Sequence, residues 1–147
     1  MKSMRWASCI AGLWAGILLG VGLIGAPAGF AATLPEIAGR LAGRMFMQEA
    51  QLSLALSVVM FLLLRQRANS ASDKPTGSVF SLDLMLVLGT LFCTVAGYFA
   101  IQPMMASARA GQGTMSFGAL HAISAAFYAL KTGLVLTLAW RLTRRSP

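Results

Sequence analysis

Carboxylates are scarce in this chain. Its 147 residues include four Asp and Glu against twelve Lys and Arg, and only 11% of positions are charged. A water-soluble domain normally carries about a quarter charged residues, so there is too little polar surface here to cover a globule. Histidine occurs once, at His121, which excludes a bis-histidine haem within one subunit. Cysteine occurs twice, at Cys9 and Cys93, both inside apolar runs and without a CxxC. That leaves no case for a disulfide framework or a zinc site. No P-loop, GxGxxG, HExxH or nucleophile elbow is present, so motifs give no positive case for an enzyme. The basic residues flank apolar runs and form no stripe interleaved with aromatics. The net charge of +8 therefore does not point to nucleic acid.

Apolar residues are abundant, at 57% of the chain, with a mean hydropathy of +0.73. Crossing about 30 Å of hydrocarbon takes roughly 20 apolar residues in a helix. Four runs qualify, at about residues 6–26, 45–64, 82–101 and 117–140. With no water to satisfy the backbone they must be helices. The expected architecture is a single all-α integral membrane domain over 1–147, a four-transmembrane-helix bundle in contact with the lipid bilayer. The first run also resembles a signal peptide, with Lys2 and Arg5 before it and small residues near Ala28. Its length exceeds the usual 7–15 residues of a signal core, so a retained helix is expected.

Loop charges set the orientation. Lys2, Arg5, Arg65, Arg67, Lys74, Arg141, Arg144 and Arg145 fall on one side; Arg40, Arg44 and Arg109 fall on the other. By the positive-inside rule both termini are cytoplasmic, and the expected location is the bacterial inner membrane. Residues 65–81 read as a flexible cytoplasmic loop. Thr33, Leu34, Pro35 and Glu36 fit a capping box. Leu34, Ile37, Leu41 and Met45 then recur at helical spacing opposite Glu36, Arg40 and Arg44. This is an amphipathic outer helix, either lying on the surface or extending the second span.

Lipid gives no hydrophobic drive for helix association, so small residues that let backbones approach are a main source of packing energy. Gly12, Gly16 and Gly20 repeat at four-residue spacing in the first run, and Gly89 and Gly97 flank Cys93 in the third. Packing within the chain is the plain expectation; a homo-oligomer or an accessory role through these glycine faces is the alternative.

Polar residues inside spans are costly and are functional candidates. Glu49, Ser53 and Ser57 share a face of the second helix. Thr90, Thr94, Tyr98 and Gln102 share one of the third, and His121, Ser124, Tyr128 and Thr132 one of the fourth. The candidate ligand-or-ion layer comprises Glu49, Gln102, Arg109, His121 and Ser124 on the outer side. A Glu49–His121 contact there would permit a proton-linked role, or serve as a structural tie worth about 1 kcal/mol. Lys131 has no acidic partner at matching depth on this count, and is expected to snorkel inward. Met45, Met47, Met104, Met105 and Met115 lie in the layer of His121, a soft set suited to Cu(I) if it is not simply filling space. Haem through His121 is a further possibility. The leading expectation is a non-enzymatic protein that binds a small ligand, ion or proton, in a context of transport or resistance.

Several of these residues also carry a family resemblance. Trp14-x-Gly16, Ala26-Pro27-x-x-Phe30, Leu34-Pro35, Ala42-Gly43-x-Met45-Phe46, Gln102-Pro103, Arg109 and Phe117-x-x-Leu120-His121-x-x-Ser124 resemble the transmembrane-protein-205-like family, also described as domain of unknown function 4149. More distantly they are similar to copper-resistance D membrane domains. The likeness covers about residues 10–141. It implies a retained first helix, four spans and no assigned activity. It also implies motif positions at Pro27, Phe30, Gln102, Pro103, Arg109, Phe117, His121 and Ser124. The family often has an asparagine soon after the serine, where this chain has Phe127 and Tyr128.

Overall fold

The computed structural model describes residues 2–70 and 81–145, and among them every long segment is helical. The elements are α1 (Lys2–Leu19), a π-turn (Gly20–Gly25), α2 (Ala26–Ala32), α3 (Pro35–Ser70), α4 (Leu82–Thr94), a second π-turn (Val95–Ala100), α5 (Ile101–Arg109) and α6 (Phe117–Arg144). They make four helices long and apolar enough to cross a membrane: Arg5–Ala32, Pro35–Gln66, Leu82–Arg109 and Phe117–Arg144. Each of the first three reaches well past its apolar run, because charge, proline and glycine at the outer ends do not stop the helix.

Two prolines explain the two π-turns. A proline inside a helix lacks the amide that the carbonyl four residues earlier needs, and its ring crowds that carbonyl. For Pro27 the carbonyl is that of Leu23, and for Pro103 that of Phe99; both lie inside the widened turns. Ala26 donates instead to Val21, five residues back. Widening the turn relieves the crowding without breaking the span.

The amphipathic segment after Thr33 is the outer end of one continuous helix, Pro35–Ser70, and not a separate surface helix. Pro35 occupies the first helical position, and the Leu34 carbonyl accepts from Ile37 and Ala38. The helix thus starts on a proline instead of on a Thr33 capping box. The loop expected over 65–81 begins later, because 65–70 continue α3; residues 71–80 lie outside the described residues.

Packing divides the molecule into halves. In the half nearer the chain termini, called the inner half, all four spans meet around a core that includes Ala11, Trp14, Met60, Val87, Leu138 and Leu142. Its far end is clamped by Asp83, which accepts from Arg141 Nε at 2.7 Å and Arg145 Nη1 at 2.6 Å. In the outer half the spans separate into two pairs. The first, α2 with α3, stands apart from the second, α5 with α6, which is joined by Ile101, Met105 and Leu120.

Glycine serves this packing where helices touch. A Cβ on Gly97 would collide with Phe127, one on Gly22 would come within 2.8 Å of Tyr128, and one on Gly89 within 3.2 Å of Leu134. Gly12, Gly16 and Gly20 behave differently. A Cβ at any of them would meet nothing within 4 Å, so the expectation of intramolecular packing fails for this ridge. The first span turns its alanine and tryptophan face inward instead, with Ala7, Ala11, Trp14 and Leu18 fully buried.

Gly97→Ala and Gly12→Ala separate the two kinds of glycine. Alanine improves helix propensity at either position by up to about 1 kcal/mol, but only Gly97→Ala adds overpacking, typically about 1–3 kcal/mol. Thermal unfolding in detergent should place Gly97→Ala below Gly12→Ala, with the latter at or above the parent.

Candidate functional site

The splayed outer half leaves a cleft of about 1200 Å³ between the two helix pairs. Its walls are mainly apolar, and its polar groups lie at two levels. Glu36, Arg40, Arg109 and His121 line it near the outer ends; Glu49 and Lys131 line it at the bottom.

The floor is a buried ion pair. Lys131 Nζ donates to both oxygens of Glu49, at 2.9 Å and 2.8 Å, and both side chains are 3% exposed. The backbones of α3 and α6 do not pack closely against each other, so the two long side chains bridge them. Ser53, one turn along α3, donates its hydroxyl to Glu49 and accepts from Trp14 Nε1 at 2.9 Å. Thus one chain of polar contacts runs from the first span through the second to the fourth. Tyr128 adds its ring face 4.9 Å from the ammonium. Each partner alone in hydrocarbon would cost a few kcal/mol; together, with Ser53 filling a further acceptor position, their polar atoms are satisfied.

The fourth span is also tied to carbonyls at the two π-turns. Ser124 donates to the Gly97 carbonyl and Tyr128 to the Leu18 carbonyl, each at 2.7 Å. Four other polar stripe residues are satisfied within their own helices. Ser57, Thr90, Thr94 and Thr132 all donate to the carbonyl four residues back, a pattern open to any helical Ser or Thr.

At the rim, the Arg109 guanidinium sits 4.5 Å from the Phe117 ring centre. His121 stacks on the same ring, with centroids 5.9 Å apart and planes at 18°. The structure therefore brings Gln102, Arg109, His121 and Ser124 to one cleft with Glu49, but on different levels. Glu49 is held by Lys131 and Ser53, not by His121. The expected snorkelling of Lys131 fails for the same reason. Both residues lie fourteen positions after the first residue of their helices, Pro35 and Phe117, and the two spans run in the same direction. Counting depth from the apolar run at Met45 instead of from the helix start hid the match. The i, i+4 spacing of Glu49 and Ser53 was the available signal.

Met105 lines the cleft, in an apolar cluster with Ile101 and Leu120. Met45 packs its methyl against Gly25, and Met104 and Met115 are exposed. No group of three or more His, Cys, Asp or Glu side chains suited to a metal occurs among the described residues.

The ion pair can be tested by removing one or both partners. Lys131→Met leaves a buried carboxylate without its counter-charge and should destabilise the protein by about 3–5 kcal/mol. Glu49→Leu with Lys131→Met should recover most of that loss in detergent unfolding. Equal instability of the single and double variants would mean that the pair is not the dominant contribution.

Against known proteins, a family model described as "Domain of unknown function (DUF4149)" matches residues 9–114. The match takes in the first three spans and stops short of α6. No curated protein and no solved structure matches the chain.

Proposed function

The chain belongs to the DUF4149 family, and on that premise we propose that it is a membrane protein whose outer cleft binds a small, largely apolar ligand. In this reading the Trp14-x-Gly16 and Ala26-Pro27-x-x-Phe30 pieces support a likeness to the transmembrane-protein-205-like members. One observation carries the proposal: the outer helix pairs stand apart over a cleft of about 1200 Å³, floored by the Glu49–Lys131 pair. Small-molecule sites usually hold roughly 300–1,000 Å³, so the cleft has room for a lipid-sized molecule. Bundles normally close such gaps with side chains, yet small residues such as Gly39, Gly43, Ala125 and Ala129 face it. Support of transport or resistance at the outer leaflet is the context that fits.

The proposed location is the bacterial inner membrane with both termini cytoplasmic. Eight basic residues fall on the terminal side of the spans and three on the other, which is the asymmetry of the positive-inside rule. A green fluorescent protein fused after Pro147 should fluoresce, and an alkaline phosphatase fused there should be inactive. The reverse pair of results would invert the topology.

Trp14 provides a reporter for occupancy, since it reaches the cleft floor through Ser53. In a Trp6→Phe, Trp140→Phe background it is the one tryptophan left. Stearic acid carrying a nitroxide at the chain end should quench its fluorescence saturably. Ala129→Phe, which fills the cleft, should remove the saturable part. Quenching that is linear in probe and indifferent to Ala129→Phe would reduce the cleft to ordinary lipid contact.

A further inference from the structure

The charges of the cleft are not balanced at its rim. At the floor, Glu49 and Lys131 neutralise each other. At the rim, Arg40 and Arg109 face one carboxylate, Glu36, and neither arginine forms an ion pair among the described residues. Glu36 stands in the first turn of α3, where the amides of a helix N-terminus already favour a negative charge. Arg109 holds its guanidinium carbon over the Phe117 ring. A guanidinium held by its face keeps its N–H edges free, and those edges match a carboxylate or phosphate in a forked geometry. None of them meets a protein acceptor among the described residues.

The two levels of the cleft also have the right separation. Lys131 lies fourteen residues beyond the start of α6, a drop of about 21 Å along a helix. One leaflet of a bilayer has about 15 Å of hydrocarbon. The rim therefore stands in the headgroup layer and the floor near the middle of the membrane. Between them the walls are apolar, with Leu18, Leu23, Phe30 and Phe46 among the lining residues.

We infer that the cleft binds an anionic amphiphile of the outer leaflet. Its carboxylate or phosphate head is forked by Arg109 at the rim, and its apolar tail lies down the cleft toward the Glu49–Lys131 floor. This rests on the reading of the cleft as a ligand site and adds the class of ligand. Arg40 supplies a second positive charge on the facing helix, so both walls of the mouth attract the head. The floor pair closes the far end, where a chain terminus needs no polar partner. A fatty acid and an anionic phospholipid share this chemistry; a phosphate ion lacks the tail.

The nitroxide-stearate titration of Trp14, run at alkaline pH so that the head is ionised, tests this directly. Arg109→Gln should weaken the saturable phase about tenfold, the loss of one charge-assisted pair. Arg44→Gln, in the same layer but outside the cleft, should leave it unchanged. The methyl ester of the probe should bind about tenfold more weakly than the acid. Competition by unlabelled stearate or by phosphatidylglycerol supports the inference and identifies which source the cleft accepts. Competition by inorganic phosphate at equal concentration overturns it, since the tail would then be irrelevant. Equal binding of ester and acid, with Arg109→Gln unaffected, also overturns it while leaving the cleft as a site for neutral lipid. No saturable phase with any probe removes both the inference and the reading beneath it.

Discussion

A charge placed in hydrocarbon must find an opposite charge, and here that requirement organises three of the four spans. Glu49 and Lys131 meet across a gap that their backbones do not close, and Ser53 and Trp14 extend the contact to the first helix. One turn away the edge-to-face contact of Phe46 with Tyr128 adds an apolar link between α3 and α6. The ion pair lines the cleft toward its inner end. Below it the spans pack tightly on alanine, leucine and methionine; above it they separate. A buried ion pair is an expensive way to gain stability, but it is directional, and its position fixes where packing gives way to open space.

The inner and outer halves are thus built on different principles. The inner half is a packed core sealed by the Asp83 clamp with Arg141 and Arg145. The outer half depends on two helix pairs, one of them joined by the small apolar cluster of Ile101, Met105 and Leu120. Small residues line the cleft, and the arginines at its mouth form no ion pair with a carboxylate among the described residues.

Much of this was legible in the sequence. The four apolar runs gave the spans, and the i, i+4 rows of Glu49 and Ser53 or of Ser124 and Tyr128 marked inward faces. Gln102, Arg109, His121 and Ser124 do share one cleft. What could not be read was three-dimensional phase. The depth of Lys131 depended on where each helix begins, which the apolar run does not mark. The Gly12, Gly16 and Gly20 ridge has the spacing of a tight interface, but spacing does not say which neighbour it faces; within the chain it faces none. Proline at positions 27 and 103 was visible, whereas its effect two turns earlier was not.

That effect changes how the sequence of any relative has to be aligned. A turn closed by a bond five residues back holds one residue more than an α-helical turn, so every position beyond it is rotated by about 100° relative to a straight wheel. In the third span Thr90 and Thr94 are fully buried while Tyr98 and Gln102, four and eight residues after Thr94, are only partly so. A relative with unbroken α-helices in these spans would need a one-residue gap near 20–25 and another near 95–100 to keep equivalent faces together. Without those gaps, matched letters would fall about 100° apart around the helix.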